Sequence, residues 1–350
     1  MTSFMENLAS LKLTLVGMVL LVIGAALTYD NRLDVTVWVL VVPLAVLAIN
    51  LAAAILFNPR INRQPGLLVF HLCLLGIVIL AAIGQLSRLD AHIEVVEGQS
   101  FDPNTLLEVK KGPLHAGLLD KVQFTQGPMT VEYAAGMKRG ITNSHVLVPD
   151  AQGNFVPKVI GDDRPLVIEG YRFYTTFNKG FAVLLTWIPT GGTPISGTVN
   201  LPSYPLFDYK QDNSWTPPGG SEIKFWLQLK TGLDEKAAWV LDGRNSSGVL
   251  VVTHGEKRIE LHPGEVTDLN GGQLRYERLL MWMGYKVYYD PTIKWLFFVA
   301  ITGVLGLGWH FWKRIASQPW PAGLTTSIEN ENIPTSMKEN TSKPVHGEIA

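Results

Sequence analysis

Four runs of about twenty apolar residues constrain this chain more than anything else in it, because a segment of that kind is stable as a helix across a bilayer. They lie at Leu13–Thr28, Thr36–Phe57, Gly66–Leu86 and Lys294–Trp312, three close together and one some two hundred positions later. The spacing predicts an α+β membrane protein. Residues 1–86 would form a three-helix transmembrane region, 87–293 one large extracytoplasmic β-rich domain, 294–314 a fourth transmembrane helix, and 315–350 a disordered cytoplasmic tail. The first run is short enough to resemble a secretory signal, but two more spans follow at once and it reads as a retained anchor.

Charges in the short loops set the expected orientation. "NPRINRQPG" carries Arg60 and Arg63, and Lys313 and Arg314 follow the fourth run, whereas "YDNRLD" holds Asp30 and Asp34 against Arg32. By the positive-inside rule both termini are cytoplasmic, and the large domain is periplasmic or extracytoplasmic at a bacterial cytoplasmic membrane. That domain reads as a sandwich or open barrel. "PLVIEGYRFYTTF", "FAVLLTWIP", "EIKFWLQL", "AAWVLDG", "GVLVVTHGEKRIELHPG" and "GGQLRYERLLMWMGYKVYYDP" are β-branched and aromatic runs divided by Gly, Pro, Asn and Asp. The tail is polar and rich in Pro, Ser, Thr and Asn, with too little apolar content to order itself.

Several functions are excluded by what the chain lacks. Its single cysteine, Cys73, lies inside the third run, so there is no C-x-x-C redox pair, haem-attachment motif or thiolate zinc cluster. Walker, dinucleotide, nucleophile-elbow and H-E-x-x-H motifs are missing too, and no catalytic residue is assigned. A formal net charge of −1, with no basic run interleaved with aromatics, argues against a nucleic-acid partner.

Two histidines stand out. His71 lies five residues into the third run and His310 three residues before Lys313, so both are expected at similar depth near the cytoplasmic leaflet. Ionisable groups at that depth are costly and become functional candidates by default. Two neutral imidazoles facing each other are what a haem iron accepts axially. The same residues would also serve a plainer purpose, His71 bonding a neighbouring helix and His310 reaching headgroups. Gly303, Gly306 and His310 share one face of the fourth helix, a stripe that admits another helix or a flat macrocycle. Thr14, Gly17, Gly24 and Thr28 form a similar stripe on the first helix, read as helix packing. Cys73 points to a different face from His71 and reads as packing. His92, His115, His145, His254 and His262 lack any shared metal spacing and read as solvated or structural. Trp282, Tyr285, Tyr288 and Tyr289 lead into the fourth run and read as an interfacial belt.

The order of these parts resembles the ResB (CcsB) family, the membrane subunit of System II cytochrome c biogenesis. The resemblance is carried by "LASLKLTLVGMVLL", "FHLCLLGIVILAAIGQLSR", "PLVIEGYRFYTTF" and "MGYKVYYDPTIKWLFFVAITGVLGLGWHFWKR". It implies a non-enzymatic haem-handling subunit that works with a ResC/CcsA-type partner to present haem to apocytochrome c. His71 matches the family's third-span histidine and His310 its last-span histidine, so both would be axial ligands to the iron of a transiently held haem b. A thioredoxin-like thiol reductant is implied indirectly, because a chain this poor in cysteine supplies no redox chemistry. The chain departs from the family in its shorter outer domain and in lacking a glycine after Asp290-Pro291, and it carries no tryptophan-rich motif of the partner subunit. Two readings without haem compete with this one. In the first the spans only anchor a domain that binds a protein or polymer. In the second the bundle is a transporter subunit, with Asn50 and the histidines its few polar groups.

Overall fold

The computed structural model describes residues 8–30, 36–230 and 235–317. Arg32 and Asp34, which contribute to the expected orientation, and the polar tail from position 318 onward lie outside the described residues. Among the described residues four helices are long and apolar enough to cross a membrane: α1 (Leu11–Asp30), α2 (Trp38–Phe57), α3 (Pro65–Ser87) and α4 (Ile293–Ala316). At about 1.5 Å per residue, the 23 residues of α3 reach about 34 Å, enough for the hydrocarbon layer. α4 continues to Ala316, so Lys313 and Arg314 belong to its last turn.

Small residues set the helix packing, as expected where lipid tails are as apolar as leucine and close backbone approach supplies the attraction. A Cβ added at Gly17 would lie 2.8 Å from Leu47, and one at Gly24 would lie 2.7 Å from the Val39 carbonyl oxygen, so the α1 stripe is a seam with α2. Thr14 donates to the Asn50 side-chain oxygen at 2.7 Å, and the Asn50 amide donates to the Leu8 and Ser10 carbonyls. Asn50 is buried and its bonding capacity goes into holding the start of α1. It therefore lines no path through the bundle.

The described residues of the β domain form fifteen strands in three sheets. The largest is built on β7 (Tyr171–Pro189) and β15 (Gly272–Tyr289), paired antiparallel along most of their length, with β1 (Leu89–Val96) on the other side of β15. β2 (Leu107–Lys111), β6 (Leu166–Ile168), β8 (Ile195–Ser203) and β14 (Val266–Leu269) complete it. The second sheet runs β13 (Lys257–Leu261), β12 (Gly248–His254), β10 (Ile223–Leu229), β9 (Asp212–Trp215). The third runs β11 (Trp239–Asp242), β3 (Thr125–Ala134), β4 (Lys138–Pro149), β5 (Phe155–Ile160). All three bury side chains in one core, where Phe173, Trp187, Phe225, Tyr276 and Tyr285 are almost wholly enclosed. The two sequence runs on either side of Asn178–Gly180 are a single strand, β7, which passes straight through that polar interval.

The aromatic segment before α4 differs from its expected role. Trp282 and Tyr285 are buried within the domain, Trp282 donating to the Leu201 carbonyl at 3.0 Å and the Tyr285 hydroxyl bonded to Ser144 and Gln126. β15 continues to Tyr289 and carries these rings into the core. Exposed indoles instead occur near both ends of the spans, Trp38 and Trp295 beside the domain and Trp309 and Trp312 at the far end.

The membrane helices and the sheet are continuous with one another. α3 ends at Ser87 and β1 begins at Leu89, while β15 ends at Tyr289 and α4 begins at Ile293; Leu89 pairs with Tyr289 across the ladder. The helix pair thus extends a strand pair. Asp290 fixes the turn by accepting from the Thr292 amide (2.8 Å) and hydroxyl (2.7 Å). His115 locks the other side of the joint, with Nδ1–H donating to the Ser87 carbonyl at 2.9 Å and Nε2 accepting from the Tyr171 hydroxyl at 2.7 Å. It is a structural histidine.

Candidate functional site

The face that α3 turns toward α4 can be read from close approaches. A Cβ at Gly66 would lie 2.8 Å from both the Gly306 oxygen and the His310 nitrogen. Val69 contacts Gly306, Cys73 contacts Gly303, Gly76 faces Val299 and Gly84 faces Thr292. These α3 positions form one strip. At about 100° per residue, His71 lies roughly 170° around the helix from its centre. His310 is level with Gly66, and the five residues from Gly66 to His71 add about 7.5 Å of rise. The structure therefore does not set the two imidazoles face to face across α3 and α4. Cys73 lies in this seam and packs there against Gly303.

Each histidine has its own setting. His71 is half-buried, and its Nδ1 lies 2.8 Å from the Leu67 carbonyl oxygen, which can only accept. Nδ1 therefore carries a proton, and in the neutral ring Nε2 keeps a free lone pair, the form in which an imidazole binds iron, with its other nitrogen anchored to the backbone. His310 is half-buried in the last turns of α4, and neither ring nitrogen bonds a described residue. It borders a cleft of about 650 Å3 lined by Arg63, Gln64, Pro65, Gly66, Lys313, Arg314 and Ser317. The chemistry of both side chains fits an axial ligand, but at two places instead of one.

Three cations, Arg63, Lys313 and Arg314, converge on the His310 cleft from two separate stretches of chain. Sequence reasoning used them only as topology markers. What brings them together is the bare Gly66 surface, whose contact with Gly306 and His310 draws the start of α3 onto the end of α4. Among the described residues no carboxylate lines this cleft. Of two clefts at the opposite end, between the helices and the β domain, one is lined by charges of both signs, Arg88, Asp90, Glu108 and Lys286 among them, and the other by Arg88, Lys110 and Lys111. In the first, Lys286 pairs with Asp90 at 3.2 Å and His92 lies 3.3 Å from Glu108.

The remaining histidines are scattered. His145 and His262 are exposed, and no group of three metal-binding side chains occurs among the described residues. One buried cation, Lys179 on β7, has its amino group 3.2 Å from the Phe177 carbonyl oxygen and 5.7 Å from the centre of the Tyr133 ring. Burial, with Arg139 adding like-charge repulsion, pulls its pKa down to about 8.

Residues 61–195 match the family model described as the ResB-like family. The matched stretch contains α3 with His71 and the β domain as far as the first residue of β8; α4 with His310 lies beyond it. The ResB/CcsB resemblance read from the sequence is supported by this match. No curated protein matches the chain.

Proposed function

We propose that this chain is a ResB-like subunit of the System II cytochrome c maturation machinery, holding haem b transiently on its way across the membrane and docking apocytochrome c. The observation that carries the reading is the His71 imidazole. It sits within a membrane helix inside the ResB-like stretch, with Nδ1–H tied to the Leu67 carbonyl and Nε2 free.

Haem is cargo here, and this chain contributes positions for it. His310 serves a station at the end of the bundle remote from the β domain, and His71 a deeper one on the face of α3 turned away from α4. His71 and His310 would each hold haem singly, and a ResC/CcsA-type partner packed against that surface would complete each site. Arg60, Arg63, Lys313 and Arg314 lie at the end remote from the domain, and by the positive-inside rule they support a reading with that end in the cytoplasm and the β domain outside. The exterior domain receives the client. Its edge strand β5 exposes Phe155, Val156 and Val159, an apolar edge suited to an extended chain. The chain acts as an assembly factor, and covalent haem attachment, with the thiol reductant that precedes it, belongs to other subunits.

The test is the optical spectrum of the detergent-purified protein, alone and with a ResC-like partner, for wild type, His71→Ala and His310→Ala. A Soret band that either substitution weakens and added imidazole restores is the expected result. A colourless wild type that stays colourless with the partner would remove the haem reading. It would leave a membrane-anchored docking module, the role that the exposed β5 edge favours.

A further inference from the structure

We propose that the cleft between the start of α3 and the end of α4 is a binding site for the phosphate of an acidic phospholipid headgroup. It is a lipid site distinct in chemistry from haem ligation, and it does not depend on the haem reading.

Position is the first argument. Trp309 and Trp312 are exposed on the same turns of α4 that line the cleft, and amphipathic indoles mark headgroup depth. The cleft therefore opens where lipid phosphates lie. Charge is the second. Arg63, Lys313 and Arg314 line it, and no carboxylate among the described residues does. The guanidinium groups of Arg63 and Arg314 make no ion pair or hydrogen bond with a described residue, and Lys313 is held 4.7 Å above the Trp309 ring. Two forked guanidiniums and one ammonium with no counter-ion among the described residues match a phosphate, which arginine binds in a bidentate manner. Basic pockets between spanning helices are recognised in this way by anionic headgroups.

Geometry is the third argument. The cations converge because Gly66 admits the His310 backbone, so the pocket is a product of helix packing and not of a flexible basic tail. Arg60 supplies a control. It sits on the same membrane face but does not line the cleft.

The experiment is native mass spectrometry of the full-length protein in mixed micelles with phosphatidylglycerol or phosphatidylcholine, comparing wild type, Arg63→Gln/Arg314→Gln and Arg60→Gln. Wild type and Arg60→Gln are expected to retain one phosphatidylglycerol in preference to phosphatidylcholine. The double variant should lose roughly twentyfold in affinity, about fivefold for each charge. Equal loss in Arg60→Gln and the double variant would reduce the effect to general surface charge and overturn the site, as would equal retention of the two lipids. If the double variant fails to fold, salt dependence in wild type decides, since phosphatidylglycerol release must steepen with NaCl while phosphatidylcholine release stays flat. Haemin is added in a separate arm. If it displaces the lipid, and the double variant loses both ligands, the pocket belongs to haem carboxylates and the lipid assignment falls. If lipid and haem bind together, the two sites are separate whatever the outcome of the haem test.

Discussion

Gly66 places its Cα against the backbone of His310, so close that a Cβ there would lie 2.8 Å from the His310 nitrogen and 3.0 Å from its Cα. Backbone atoms cannot swing aside as a side chain does. Gly66→Ala is therefore expected to push the two helices apart and cost about 1–3 kcal/mol, the usual range for overpacking. Gly308, on α4, has open space where its Cβ would be. Gly308→Ala should be neutral or slightly stabilising, since alanine is the better helix former. Thermal unfolding of the two variants in detergent checks both, and equal melting temperatures would contradict the contact.

That contact also explains what could be read in advance. The spans were legible because twenty apolar residues have few alternatives to crossing a membrane, and the β domain because its aromatic and β-branched runs are broken by turn residues. The α4 stripe of Gly303, Gly306 and His310 was legible as well, since glycines stand out in a leucine-rich helix. The facing side of α3 was not. From Leu67 to Ile83 its only polar side chain is His71, so no amphipathic pattern points to the partner helix. Two of the residues that choose the interface, Val69 and Cys73, look like filler in the sequence. The burial of Trp282 and Tyr285 was hidden for another reason, because a strand that runs directly into a span looks the same in sequence as an interfacial belt.

His71 lies on the face of α3 turned away from α4, whereas the His310 backbone packs against Gly66, so the proposed haem reading treats them as separate stations. If His71 and His310 were the two axial ligands of one iron, removing the second after the first would cost little more. Placed apart as they are, their effects on haem affinity should combine without coupling, within about 0.5 kcal/mol. Haem titration of His71→Ala, His310→Ala and the double variant decides. A double variant no weaker than the worse single one would restore the single-iron arrangement.

His115 joins membrane and domain through one ring. His115→Phe keeps the edge-on contact with Tyr289, whose centroid is 5.0 Å away, and removes both hydrogen bonds. The Tyr171 hydroxyl and Ser87 carbonyl then lose partners, and the expected cost is about 1–3 kcal/mol. Hydrogen exchange should quicken at residues 112–118 and at the end of α3, while β10 and β12, in another sheet, stay protected. Unchanged exchange at the joint would assign the ring only a packing role.

Lys179 gives the β domain a pH dependence of definite sign. Its folded pKa is near 8 and its ordinary value 10.5, so between those limits the unfolded chain binds more protons and stability must rise with pH. Below about 8 both states are protonated and the burial cost is present in full. Above 10 the buried Tyr133, Tyr171, Tyr204 and Tyr276, each raised to about 12, act in the opposite direction, because the unfolded phenols ionise first. Lys179→Met removes the lysine contribution and leaves the tyrosines. The difference between wild type and Lys179→Met should therefore shift in favour of wild type from pH 8 to pH 10. At pH 7 the variant should be at least as stable, since an apolar chain of similar length replaces a buried ammonium. Denaturant unfolding followed by tryptophan fluorescence at pH 7, 8, 9 and 10 measures this, and parallel curves for the two proteins would mean that the Lys179 ammonium is solvated in the folded state.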